Sequence, residues 1–475
     1  MSKVLLIKPR FLSLVFPFIT QPLGLLYIAA TLKERGHEVK IHDCAEDYNH
    51  LNSLRRLIED WKPDFVGISS IITEAEQAVK ITKIIREKHR NVPIILGGPW
   101  PSANPEEALR TSGADFVVVG EGEAAFPQLL EAIDNRQSIK AIRCVVSRTQ
   151  GKPEIQQACI LTEKELNALP FPAWELLDHE LYAKKHSMPA VGRRKYMAII
   201  TSRGCPYKCA YCFHAMGNLY RKRDVPSILA ELEELFFKYG FREFEVIDDC
   251  FNLDRDRMRN LLTEIQKRFR GIKLHFPNGL RADILEPEDA QLFKKAGTVS
   301  AAFAIETASD RLQKMIRKNL NIDKALKAID AFVDSGIYTT GAFMLGFPTE
   351  TFAEAAKTVE FACRSKLHRA MFLVVTPFAG TELAEIAADR LKIKYGGTPP
   401  KQVHYYSSHM NVSAMTDREL RMVFRSAYCR FYLNPRKVIK LLTTHPRISA
   451  LPYYAFSILK RAMGAGRSDR SMQKD

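Results

Sequence analysis

Short apolar runs alternate with amphipathic stretches along the first 135 residues. Val4-Leu-Leu-Ile7 is one such run, ended by Pro9. Residues 24–35 place Leu25, Ile28, Ala29 and Leu32 on one helical face and stop at Gly36. Residues 39–41, 65–69, 94–96 and 116–119 read as further strands, and a helix following residue 69 runs through Ile84. Strands this short and apolar, separated by helices, predict a parallel sheet covered on both faces. In such sheets ligands sit beyond the carboxyl ends of the strands. Those ends carry Pro9, Ser69-Ser70, Gly97-Gly98 and Gly120-Glu-Gly122. Small residues there let a large flat ligand approach the backbone. The plainer reading of the same glycines is turn formation.

From residue 195 a second alternation begins. Strands are expected at 196–201, 243–247, 273–276, 299–305, 338–345 and 371–376. Helices are expected at 226–239, 255–269, 287–296, 322–334 and 352–365. Six such units predict a partial (βα)6 barrel of the TIM type, with its chemistry at the strand carboxyl ends. Between the two alternations lies the Pro/aromatic stretch Leu169-Pro-Phe-Pro172-Ala-Trp174, read as an ordered linker. The chain thus divides into residues 1–137, a linker over 138–190, a barrel over 191–385 and a mainly helical, basic region over 386–475. The fold class is α/β.

The 475-residue chain is 46% hydrophobic and 26% charged, as in a globular protein of two or three domains. It holds no run of eighteen apolar residues, so no spanning helix is expected. The early Lys8 and Arg10 do not suit a secretory signal, and the cytoplasm is the expected compartment. Nine cysteines do not suggest a disulfide framework there. Six stand alone and are expected mostly as small core hydrophobes. The net charge is +16, and residues 421–475 hold twelve Lys/Arg against Asp469 and Asp475, or +10 of that excess.

The remaining three cysteines fall in Thr201-Ser-Arg-Gly-Cys205-Pro-Tyr-Lys-Cys209-Ala-Tyr-Cys212-Phe213, directly after the first barrel strand. Cys205, Cys209 and Cys212 on one loop can hold three irons of a [4Fe–4S] cubane. No fourth cysteine is near in sequence, which leaves one iron open to a chelating ligand. Zinc is the alternative, with His214 as a poorly spaced fourth ligand.

Cys-x3-Cys-x2-Cys followed by an aromatic residue, after the first strand of such a barrel, resembles the radical S-adenosylmethionine superfamily. The resemblance implies that the amino and carboxylate groups of S-adenosylmethionine chelate the open iron. One electron then releases a 5′-deoxyadenosyl radical, or the cofactor donates a methyl group. Phe213 belongs to this motif. Ala304-Ile-Glu306-Thr307 resembles the family's fourth-strand segment and makes Glu306 a cofactor contact. Gly341-Ala-Phe-Met-Leu-Gly346-Phe-Pro resembles its fifth-strand motif, which brings in Gly346. Thr376-Pro-Phe-Ala-Gly380-Thr381 resembles its sixth. Asp248 and Asp249 stand where many members bind the methionine amino group. Arg223 and Arg281 also match recurrent positions. A buried Glu306 would be costly without a partner, whereas Asp249 could cap a segment and Arg281 form an ordinary ion pair.

Pro22-Leu-Gly24, Gly67-Ile-Ser69-Ser70, Gly97-Gly98-Pro-Trp100 and Gly120-Glu-Gly122-Glu123 resemble the Rossmann-like cobalamin-binding domain that precedes the barrel in one large subclass. The resemblance covers about residues 1–385 and implies a cobalamin cofactor. Two departures stand out. The cobalt-ligating Asp-x-His-x-x-Gly is absent, and Trp100 replaces a frequent histidine. No histidine is therefore offered to the lower face of cobalt.

The reading reached is a cobalamin-dependent radical S-adenosylmethionine methyltransferase acting on an unactivated carbon of a small molecule or lipid. A radical cyclase, oxidase or carbon–carbon bond-forming enzyme is the alternative within enzymes, and a zinc-stabilised binding module the alternative outside them. A flavodoxin or ferredoxin would supply electrons. The basic tail combines cations with apolar residues, as in Arg436-Lys-Val-Ile-Lys440-Leu-Leu, and suits an anionic membrane surface. A helix packed on the barrel with a solvated cationic face would look the same. No nucleic-acid module accompanies the charge.

Overall fold

The computed structural model describes residues 1–10, 19–45, 50–148, 158–189, 191–214, 217–395 and 410–464. Arg467, Arg470 and Lys474 of the basic tail lie outside them. The first sheet contains β1 (Lys3–Lys8), β2 (Glu38–Asp43), β3 (Phe65–Ser69), β4 (Ile94–Gly97), β5 (Phe116–Val118) and β6 (Val145–Ser147), in the order β2-β1-β3-β4-β5-β6. β1 to β5 run parallel, as their continuous apolar character requires, and Leu5, Ile7, Val66, Ile68 and Ile94 are buried to within about 1% on one face. Leu6, Val4 and Ile95 fill the other face with the helices Leu23–Glu34 and Gly122–Asp134.

β6 is antiparallel to β5 and comes from the segment expected as a linker. Its three residues are too few for a periodic signal. The same segment corrects a second expectation. Cys144 and Cys159, expected as isolated core residues, form a disulfide with their Cα atoms 5.5 Å apart. Trp174 and Tyr182, further along, are buried in the barrel core.

After β7 (Met197–Ile199), a two-stranded ribbon forms from β8 (Ser202–Arg203) and β9 (Arg221–Lys222). The barrel continues with β10 (Glu243–Val246), β11 (Lys273–Leu280), β12 (Thr298–Glu306), β13 (Tyr338–Leu345) and β14 (Arg369–Val374). All six barrel strands are parallel in the order β7-β10-β11-β12-β13-β14, an open, partial barrel. Its helices start where capping chemistry dictates. Thr351 and Glu354 form a reciprocal capping box, and Asp254 accepts from the Arg257 amide.

The amino end of the barrel is closed by charge. Arg194 is buried and pairs with Glu243 at 2.8 Å and with Glu245. His275 Nδ1 lies 2.8 Å from Ser300 Oγ, and its Nε2 lies 3.3 Å from Glu243. The C-terminal helices cover this end. Arg447 donates to the Arg193 carbonyl, and Lys437 donates to the Ser365 and Leu367 carbonyls just before β14. Among the described residues no helix is long and apolar enough to cross a membrane. Arg194→Met would leave the buried Glu245 carboxylate without its guanidinium, while Glu243 keeps Lys273 and Arg447. A loss of about 3–5 kcal/mol is expected, read as a fall in the urea midpoint of the barrel.

Candidate active site

The cysteine loop is held at both ends. At its start, Asp248 accepts from the Thr201 amide at 2.6 Å, the Thr201 hydroxyl at 2.5 Å and the Ser202 hydroxyl at 2.6 Å. Asp249 accepts from the Gly204 amide at 2.9 Å. Burial raises the pKa of both carboxyl groups, these hydrogen bonds notwithstanding. The β8–β9 ribbon closes the base of the loop. Inside it, the Ala210 amide donates to the Ile316 carbonyl at 2.9 Å and the Ala210 carbonyl accepts from Leu383 at 2.7 Å. Tyr207 stacks against the Arg281 guanidinium at 3.8 Å.

Cys209 is buried, Cys205 half-buried and Cys212 exposed. A hydrogen bond from Cys212 holds the Cys209 thiol down to about 6, and Cys212 is pushed up in return. Cys205 is lowered in the same way by Cys250, a buried thiol directly after Asp249. A fourth cysteine therefore stands beside the loop, contrary to the reading from spacing along the chain. It arrives from the next strand, and no local pattern announces it.

Glu306 ends β12 with a φ of +66°, where the ladder to β13 slips register. It is buried and bonded to Tyr211 and Lys318. Gly346 has a φ of +97°, a conformation open to glycine. Its amide and that of Phe347 donate to the buried Glu350 carboxylate. Phe213 approaches Gly380: a Cβ there would stand 3.8 Å from its ring and 3.6 Å from Ala103 of the first sheet's layer.

A cavity of about 400 Å³ joins the two sheets. Gly24, Ser69, Gly97, Gly98, Gly120 and Gly122 line one side; Ile200, Arg203, Ile247 and Asn278 line the barrel side. Pro9 and Ser70 are not in its lining, nor is any histidine among the described residues. The glycines divide into two kinds. A Cβ on Gly24 or Gly97 would meet nothing within 4 Å, so these open onto the cavity. One on Gly98 would strike Ser69 Oγ at 2.9 Å, and one on Gly120 the Cys159 carbonyl at 2.3 Å. Those two are small because the chain itself approaches.

A B12-binding domain model matches residues 9–130, and a radical SAM superfamily model matches residues 199–362. An uncharacterized methyltransferase of Pyrococcus horikoshii is 30% identical over 434 residues, covering 89% of this chain and 90% of that protein. The chain belongs to the cobalamin-dependent radical S-adenosylmethionine enzymes. The cytidylyl-2-hydroxyethylphosphonate methyltransferase of Streptomyces wedmorensis is 27% identical, covering 88% and 87%. Among solved structures, the cobalamin- and cluster-bound methyltransferase TsrM of Kitasatospora setae superposes with a TM-score of 0.70 at 20% identity, covering 82% of this chain and 79% of that one. The cobalamin-dependent radical enzyme OxsB with aqua-cobalamin and S-adenosylmethionine bound gives 0.73 at 16%, covering 97% and 72%.

The cofactors of this radical enzyme are a [4Fe–4S] cluster, S-adenosylmethionine and cobalamin. The residues present fit them. A mononuclear site gathers its ligands on one point, and no such group of three His, Cys, Asp or Glu exists among the described residues. A cubane spreads its thiolates over separate irons, which three cysteines of one short loop can meet. The cavity's mainly apolar wall and the open faces of Gly24 and Gly97 suit a broad flat macrocycle.

Sequence reasoning missed what joins the two halves of this site. Arg203, adjoining Gly204 and Cys205, is buried and pairs with Glu123 at 2.7 Å and Glu121 at 3.3 Å. Glu121 also receives Arg221 of β9 at 2.7 Å and the Leu161 amide at 2.6 Å. Arg203 lies 5.1 Å from the Tyr27 ring centroid. The only sequence signal was two acids in Gly120-Glu-Gly-Glu123 and an arginine before the cysteines, 80 residues apart.

Glu350 carries a pH dependence. Burial pushes its carboxyl up to about 8. A carboxyl raised on folding favours the folded state most below its ordinary value near 4.5 and loses that contribution as pH rises to about 8. Glu350→Gln keeps an oxygen for the two amides and removes the titration. Its melting temperature relative to the parent is expected to rise from pH 6 to about pH 8 and to level off above it; a constant difference would refute this.

Proposed function

We propose that this enzyme methylates an unactivated carbon of a small-molecule substrate bound between the first sheet and the barrel mouth. The observation that carries the reading is the single cavity whose lining passes from Gly97-Gly98 to Arg203 beside the cysteine loop. When bound, the cluster, S-adenosylmethionine and cobalamin supply the electron, the carbon radical and the methyl group.

In this proposal Cys205, Cys209 and Cys212 hold the cluster. Asp249 is exposed with one oxygen engaged by Gly204, and its other oxygen would take an amino group. Asp248, with both oxygens occupied, orients the loop and does not touch the cofactor. In this proposal S-adenosylmethionine lies beside Phe213 and the carboxyl end of β13 at Gly346, and Asn278, whose nitrogen donates to the Ile247 and Asp248 carbonyls, offers it a side-chain oxygen. Ser69, Gly97, Gly98, Gly120 and Gly122 form the cobalamin side; Pro9 and Ser70 support it from behind. Among the described residues no histidine lines the cavity, so this wall brings the cobalt no imidazole. The apolar wall of Leu23, Ile28, Ile68 and Leu96 excludes water from reactive species. Methyl transfer is favoured over cyclisation by the methyltransferases among the relatives.

The test is turnover with S-adenosylmethionine carrying a deuterated methyl group, using protein made anaerobically with cobalamin. Label is expected in the product, and a product without it would support the cyclase or oxidase alternative instead.

The electron donor in this proposal is a flavodoxin or ferredoxin meeting the exposed edge of the cysteine loop at Pro206, Lys208 and Cys212. The tail supports peripheral contact with an anionic membrane. Ile439, Leu442, Phe456 and Leu459 are each more than half exposed, and Arg436 and Lys460 are exposed on the same helices. These helices cap the barrel's amino end, away from the cavity. Such contact would station the enzyme at a surface without presenting its mouth to the lipid, which favours a soluble substrate. Ile439→Glu with Leu442→Glu is expected to abolish co-sedimentation with phosphatidylglycerol-containing vesicles; equal binding by parent and variant would exclude this surface.

A further inference from the structure

The turn after the helix Asp310–Met315 is built around one buried lysine. Arg317 and Asn319 both adopt positive φ, +54° and +50°, on either side of Lys318. Such backbone persists where its surroundings over-determine it. Here Gln313 does so. Its carbonyl accepts from the Lys318 and Asn319 amides, its side-chain oxygen accepts from the Leu320 amide, and its side-chain nitrogen donates to the Ile305 and Thr307 carbonyls around Glu306. The outcome is a Lys318 side chain turned inward and only 7% exposed.

Its ammonium donates to Glu306 at 3.0 Å and to the Tyr211 hydroxyl at 3.0 Å, and Tyr211 donates to Glu306 at 3.1 Å. Tyr211 lies between Cys209 and Cys212. Two further contacts join the same turn to the loop. The Ile316 carbonyl accepts from Ala210, and the Lys318 carbonyl accepts from Arg281, which stacks on Tyr207. One turn thus holds the cysteine loop at residues 207, 210 and 211. A buried ammonium is costly unless paired, and a surface turn has no need of one.

We infer that Lys318 is a positioning residue that sets the reduction potential of the cluster by neutralising Glu306 and fixing Tyr211 between two of its cysteines. This rests on Cys205, Cys209 and Cys212 being the cluster ligands. A buried charge close to a cluster shifts its potential with its sign, positive upward and negative downward. With Lys318 in place, the Glu306 charge is matched; without it, an unmatched carboxylate stands beside the loop.

The experiment is an anaerobic redox titration of the full-length, cluster-loaded protein followed by electron paramagnetic resonance, without S-adenosylmethionine. Iron is counted in each variant. Lys318→Met is expected to shift the midpoint to more negative potential. Lys318→Arg is expected to restore most of it, as is the double variant Lys318→Met with Glu306→Gln, which removes both charges. Glu306→Gln alone keeps the lysine and all three contacts, and is expected to shift the midpoint upward. It also decides the matter if Lys318→Met fails to hold iron. An unchanged midpoint in Glu306→Gln, or a Lys318→Met shift undiminished in the double variant, would overturn the inference. A parent protein that takes up no iron would instead refute the cluster assignment.

Discussion

The junction between the two sheets depends on Arg203. It is buried between Glu121 and Glu123 of the first sheet's last parallel turn and adjoins the glycine that begins the cysteine loop. A guanidinium is suited to this place, since its planar fork can serve two carboxylates at once. The cost of burying the charges is offset only while all partners are present. Arg221 completes the group from the far end of the loop. The base of the cysteine loop is thereby tied to the floor of the cavity, and two sites from different sheets are held in one register. Preorganisation of this kind is what chemistry between two bound groups requires.

The same logic recurs within the barrel. Acids at the strand ends, which the family pattern suggests as cofactor contacts, are largely spent on the loop itself. Asp248 holds Thr201 and Ser202, Asp249 holds Gly204, and Glu306 holds Tyr211 through Lys318. Asp249 and Glu306 each make these bonds through a single oxygen. The loop makes few backbone hydrogen bonds of its own, so its shape has to be supplied by the neighbouring strands.

Much of the architecture was legible in the sequence because it rests on local periodicity. The strands at 65–69 and 338–345 and the helix at 322–334 match residue for residue. Buried parallel strands write themselves as apolar runs, and capped helices announce their starts. The three cysteines were legible because their spacing is contained in one loop. What could not be read depends on pairing across the fold. β6 is too short to show a period, and Cys144–Cys159 is set by where the strand edge places two residues 15 apart. Cys250 reaches Cys205 only because β10 lies next to β7. The glycines were half legible. Gly97 opens onto the cavity, as does Gly24, which belongs to no strand end, whereas Gly98 and Gly120 answer to the protein's own chain.

The closed amino end of the barrel governs traffic. Arg194, Glu243, Glu245 and His275 fill it, and the tail helices lie beneath. A corridor with one end shut is a cul-de-sac. A substrate bound as proposed would enter and leave by the mouth that faces the first sheet, so the deepest occupant would leave last. Order of departure is then a property of depth in the barrel, set by the same buried ions that stabilise it.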